Sequence, residues 1–120
     1  MEIKKKILII EDDDSSRETL VSFMEESGYN VLSAKDGFKG LELMKKEKPD
    51  LVISDNRLPH IDGIELAYIN ESFTVKIPFI LTSAFNNMKD KIANLNIVAF
   101  LEKPVDIRVL DGYVKKILFN

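Results

Sequence analysis

Leu51-Val52-Ile53-Ser54-Asp55, followed by Asn56-Arg57-Leu58-Pro59-His60-Ile61-Asp62-Gly63, is the stretch on which the fold turns. An apolar run with no polar alternation suits a strand covered on both faces of a parallel sheet, so Leu51 to Ser54 is predicted as such a strand. A second run, Ile7-Leu8-Ile9-Ile10, closes in the same way, on Glu11-Asp12-Asp13-Asp14. If the two strands are neighbours, their trailing carboxylates meet at the carboxyl edge of the sheet. An open α/β sheet places its ligand crevice there, where the strand order reverses. Carboxylates gathered in one place repel one another and resist full ionisation unless a cation neutralises them.

The flanking sequence supplies the remaining elements. Ser15 and Glu18 have the spacing of a capping box, opening a helix that runs to about Ser27 and buries Leu20, Phe23 and Met24. Gly28 is placed to end it in the left-handed conformation. Asn30 to Ala34 reads as an outer strand. Asp36 or Gly37 opens a second helix with Phe38, Leu41 and Met44 on one face; Lys45, Lys46 and Lys48 suit its negative end, and Pro49 stops it. Asp62-Gly63 starts a third helix, to about Glu71, that buries Ile64, Leu66, Ala67 and Ile69 or Tyr68. Phe79 to Thr82 is a fourth strand, about Asn87 to Leu95 a short helix with Ile92 and Leu95 as its contacts, and Ile97 to Leu101 a fifth strand. The last helix, from about Asp106 to Leu118, turns Val109, Leu110, Tyr113, Val114 and Ile117 inward. Five alternations of strand and helix predict an α/β doubly wound five-stranded parallel sheet with helices on both faces. The expected order is 2-1-3-4-5, with strands one and three adjacent at the switch point.

Composition narrows the function. The 120 residues suit one domain, 1–120, without linker or internal repeat. A net charge of −3 leaves no basic stripe to neutralise nucleic-acid phosphates. With no Cys, disulfides, thiolate metal sites and thiol catalysis are excluded. No apolar run approaches the roughly 18 residues of a membrane span, so the expectation is a cytoplasmic protein that does not engage a membrane.

Four strand ends carry a chemical group: Glu11 and Asp12, Asp55, Thr82, and Lys103 just beyond the fifth strand. Carboxylates, carbonyls and water make an all-oxygen site of the kind hard cations choose, and Mg²⁺ uses few protein carboxylates. An ammonium and a hydroxyl complete a pocket for a tetrahedral anion. The set suits phosphoryl transfer, which chiefly needs positioning and charge neutralisation. Asp55 is the expected nucleophile, since carboxylates form aspartyl phosphates. His60 is expected to be an exposed loop residue, Asp62-Gly63 a helix cap, and Lys4-Lys5-Lys6 a solvated lead-in.

In order along the chain, Ile7-Leu8-Ile9-Ile10-Glu11-Asp12-Asp13, Asp55 with Leu58-Pro59 and Asp62-Gly63, Thr82, and Phe100-Leu101-Glu102-Lys103-Pro104 resemble the response-regulator receiver domains of the CheY-like family. The resemblance runs along the whole chain. It implies a two-component phosphoacceptor rather than an ordinary enzyme. Asp55 would take a phosphoryl group from a sensor histidine kinase or a histidine phosphotransfer protein. Glu11 (directly or through water), Asp12, Asp55 and the carbonyl of Arg57 would hold Mg²⁺, and Lys103 would pair with the phosphoryl group. Thr82 would swing to hydrogen-bond that group and Phe100 would turn inward, reshaping the face of helix four, strand five and helix five. Phe100 departs from members with Tyr, and Glu11 from those with Asp. Arg57, Ser83 and Ala84 lie where the family varies and phosphoryl lifetime is tuned. The resemblance also favours a cis bond before Pro104 and leaves open a homodimer on phosphorylation. The downstream effector or output domain is not identified. Alternatives are a haloacid-dehalogenase-type phosphatase, which wants a second Asp where Arg57 stands; an FMN binder, which wants a Ser/Thr/Gly-rich loop after the first strand; and a phosphorylation-independent binding module.

Overall fold

Alternate residues of the central strands enter two different cores, and this divides the molecule into layers. The computed structural model describes residues 3–84 and 95–119. Its elements are β1 (Lys6–Ile10), α1 (Asp14–Glu26), β2 (Asn30–Ala34), α2 (Gly37–Glu47), β3 (Leu51–Asp55), α3 (Gly63–Asn70), β4 (Phe79–Ser83), β5 (Ile97–Glu102) and α4 (Ile107–Phe119). All five strands run parallel, in the order β2-β1-β3-β4-β5. Ile7, Ile9, Leu51, Ile53 and Ile80 pack with Met24 of α1 and Leu110 and Val114 of α4. Leu8, Ile10, Val52, Phe79 and Leu81 pack with Met44 of α2 and Leu66 and Ala67 of α3. Each fully buried branched or aromatic side chain contributes about 1.5–3 kcal/mol relative to exposure. The expected sheet order and helix layers are both present. The helix expected over 87–95 lies outside the described residues, except that Leu95 packs against the second core.

Several local expectations are corrected. Asp13, not Ser15, caps α1: its carboxylate accepts from the Ser16 N–H at 2.8 Å, and Ser15 lies inside the first turn. A capping box does form, but at α3, between Asp62 and Glu65. Phe38 is 59% exposed rather than core. The face that α2 turns to the sheet is Gly37, Gly40 and Met44, a stripe from which Phe38 is displaced by about a quarter turn. Its ring instead stacks on His60, with centroids 4.7 Å apart. In α4 the inward stripe is Leu110 and Val114, leaving Val109 and Tyr113 48% and 39% exposed on the outer flank. In α3 the inward choice falls on half-buried Ile69, and Tyr68 is exposed.

Asn70, which nothing in the sequence singles out, closes the α3–β4 connection. Its buried amide donates to the Ile77 carbonyl at 2.8 Å and accepts from the Ile77 N–H at 3.0 Å. Asn70→Ala would strand both backbone groups away from water. It is expected to lower the unfolding free energy by about 2–3 kcal/mol, measured by urea denaturation.

Candidate functional site

Strand register assembles the site. Ile10 lies opposite Ser54, so Glu11 follows β1 at the level of Asp55, and Asp55 in turn lies opposite Thr82. Ser83 pairs with Glu102, and the Lys103 N–H donates to the Ser83 carbonyl at 2.8 Å. The peptide between Lys103 and Pro104 is cis. The Lys103 ammonium reaches back to the ends of β1 and β3. Its Nζ donates to Glu11 Oε1 at 2.9 Å and to Asp55 Oδ2 at 3.0 Å. Glu11 and Asp55 are only 4% and 8% exposed. The second Glu11 oxygen accepts from the Asp13 N–H at 3.2 Å. One carboxylate oxygen from each of Glu11, Asp12 and Asp55 lies within 4.8 Å of the others.

Among the described residues, three carboxylates gather around the Lys103 ammonium, an arrangement rich in negative charge. Burial alone would lower the Lys103 pKa, but its hydrogen bonds to Glu11 and Asp55, and their charges, hold it above the ordinary lysine value. Lys103 is therefore charged at neutral pH. Asp12 is held above the usual carboxylate value, first by desolvation and then by hydrogen bonding with Glu11 and repulsion from it. These donors fit a hard divalent cation: all are oxygens, and their excess charge is what such an ion offsets.

A carboxyl whose folded pKa exceeds its unfolded value loses stability as pH rises above the unfolded value of about 3.9. Asp12 therefore disfavours the metal-free fold at neutral pH, and a proton or a cation relieves this. Melting curves are expected to show the Mg²⁺-induced rise in Tm at its largest near neutrality and shrinking as acid restores the proton. An Mg²⁺ effect that grew toward acid pH would contradict this balance.

Asp55 is also held from behind by groups that sequence reading passed over. The Ser54 hydroxyl donates to the Asp55 carbonyl at 2.8 Å. The Asn56 N–H donates to the Thr82 carbonyl at 2.8 Å, and the Asn56 carbonyl accepts from the Gly63 N–H at 2.8 Å. Glycine is required at position 63 by close approach: a Cβ there would lie 2.5 Å from the Asp55 carbonyl oxygen and 2.7 Å from Leu81 Cδ1. Gly63→Ala must displace the end of β3 or the start of α3. A loss of about 1–3 kcal/mol is expected, read by urea denaturation.

Of the remaining expected residues, Thr82 is buried beside Asp55, and Arg57 is exposed on the loop that follows it. Phe100 is half-buried against the second core. His60 is exposed, with a φ of 73°. A groove of about 750 Å³ opens onto Glu11, Thr82 and Lys103, between Ser15 and Leu20 on α1 and Val105 beyond β5. Among the described residues no helix is long and apolar enough to cross a membrane.

Comparison with known proteins agrees with this geometry. The family model described as "Response regulator receiver domain" matches residues 7–115. The chain is 35% identical over 118 residues to the alkaline phosphatase synthesis transcriptional regulatory protein PhoP of Bacillus subtilis (strain 168), covering 97% of this chain and 49% of PhoP. It is 37% identical over 114 residues to the transcriptional regulatory protein AfsQ1 of Streptomyces coelicolor, covering 93% of this chain and 50% of AfsQ1. The chain thus spans about half the length of these relatives. Among solved structures, the response regulator TrrA of Thermotoga maritima, in complex with Mg(2+)-BeF, superposes with a TM-score of 0.86 at 28% identity, covering 95% of this chain and 99% of that one.

Proposed function

The chain belongs to the response regulator receiver domain family of two-component signalling, and from that premise we propose that Asp55 is its phosphoacceptor. The observation that carries the proposal is Lys103 bridging Glu11 and Asp55, with an Asp12 oxygen close to both. An Asp55 oxygen attacks phosphorus, the P–N bond of a phosphohistidine breaks, and the imidazole leaves with the bonding pair. Lys103 is already positioned to offset the negative charge that the incoming group brings to Asp55, and the Thr82 hydroxyl, on the neighbouring strand, supplies a hydrogen bond. Glu11, Asp12, Asp55 and the Arg57 carbonyl would hold Mg²⁺, which when bound neutralises charge on phosphoryl oxygens. The complex of the similar TrrA with Mg(2+)-BeF supports this choice of cation.

The donor would be a sensor histidine kinase or histidine phosphotransfer protein, docked along the groove beside α1. Thr82 and Phe100 would carry the signal to the face formed by β5 and α4. An output domain or effector, not a nucleic acid or a membrane, would read that face, with a homodimer on phosphorylation as one form of the response. Residues 1–120 acting as one cytoplasmic receiver unit is part of the same proposal. The phosphatase alternative is not favoured, because Arg57 occupies the place of its second acid.

The test uses phosphoramidate, a small donor with the same P–N bond. With Mg²⁺ it is expected to add one alkali-labile phosphoryl group per chain. No incorporation, or steady hydrolysis of a generic phosphate ester, would count against the reading.

A further inference from the structure

Arg17 closes the first turn of α1, with its side chain only 11% exposed. Its Nη1 donates to the Glu11 carbonyl oxygen at 3.0 Å, while Nη2 pairs with the Asp14 carboxylate. A guanidinium so close to clustered carboxylates would be expected, on charge alone, to lie against them. Instead one arm of the fork grips a backbone oxygen. That oxygen belongs to the peptide joining Glu11 to Asp12, and a peptide unit is rigid and planar. Holding its oxygen restrains rotation of that unit, and with it the backbone angles on either side that set where both side chains leave the chain. The other flank is held too, since the Glu11 N–H donates to the Ala34 carbonyl at 3.0 Å. The largest charge effects on the Asp12 carboxyl come from Glu11 and Lys103.

We propose that Arg17 is a positioning residue for the cation site, clamping the Glu11–Asp12 peptide so that both carboxylates are aimed before the ion arrives. This rests on the reading of the pocket as an Mg²⁺ site. Position and charge make opposite predictions here. Removing a nearby cation tightens the binding of a positive ion by Coulomb's law. Removing a clamp loosens it, and outer partners of metal ligands are typically worth about 10–100-fold in affinity.

The experiment titrates wild type, Arg17→Met and Arg17→Lys with MgCl₂, taking Kd from the concentration dependence of Tm. Urea unfolding without metal checks that each variant is folded. Arg17→Met is expected to bind Mg²⁺ about tenfold more weakly. Arg17→Lys keeps the charge but not the planar fork, and is expected to bind several-fold more weakly than wild type. If Arg17→Met binds as tightly as wild type or tighter, the clamp is wrong. If Arg17→Met does not fold, Arg17→Lys decides: wild-type affinity there overturns the proposal. A wild type whose Tm ignores Mg²⁺ overturns the pocket reading beneath it, so the two failures are distinguishable.

Discussion

Asp55→Asn is expected to lower phosphoryl incorporation from acetyl phosphate and Mg²⁺ by at least about a hundredfold, because an amide oxygen is a far poorer nucleophile than a carboxylate. The substitution preserves size, and Lys103 keeps its 2.9 Å partner in Glu11. Removing one of three clustered negative charges does not strand the ammonium, so the variant is expected to fold, and its circular dichroism should match wild type. A folded Asp55→Asn protein that labels as well as wild type would move the acceptor elsewhere. Glu11 is a poor substitute: both its oxygens are engaged, one with Lys103 and the other with the Asp13 N–H. Asp12 is the nearest other carboxylate, and labelling there is the competing outcome that the Asp55→Asn variant would expose.

Asp12→Ala should act in opposite directions on the metal-free and metal-bound protein. Asp12 is exposed, so truncating it forfeits little packing, and it removes a carboxylate that desolvation and Glu11 both disfavour in the charged form. Without metal the variant should therefore melt at or above the wild-type temperature. With Mg²⁺ the order should reverse. A cation present at about 100 times its Kd stabilises wild type by about 2.7 kcal/mol, and the variant, having lost a ligand, should gain almost none of this. Calorimetry with and without Mg²⁺ reads both effects. A variant less stable than wild type without metal, yet still stabilised by Mg²⁺, would contradict the charge balance assigned to the pocket.

What the sequence revealed, and what it hid, follows from the range of the interactions. The central strands β1, β3 and β4 are legible because burial on both faces demands nearly uninterrupted apolar runs. The continuous burial of Leu51 to Asp55 is the same fact seen in three dimensions. The site was legible because its residues sit at strand ends, where topology alone brings them together. Helix faces were less so. Val109 and Tyr113 are apolar at helical spacing, but α4 has room against the sheet for one stripe, and Leu110 and Val114 occupy it. Phe38 was misplaced because the contact that decides α2 is a glycine packed against the carbonyl of Ile61, which hydropathy does not register. Asn70 and Arg17 were missed for a related reason. Each grips a backbone atom, and backbone atoms leave no signature in the sequence of the partner.

The pocket's role comes down to where a phosphoryl group lands and whether it needs the cation. Protein treated with acetyl phosphate and Mg²⁺, trapped with borohydride and sequenced by tandem mass spectrometry, is predicted to carry homoserine at position 55 and nowhere else, with the signal gone when a chelator removes the metal. Reduction at another acidic residue, or an equal yield at Asp55 in chelator, would contradict the account.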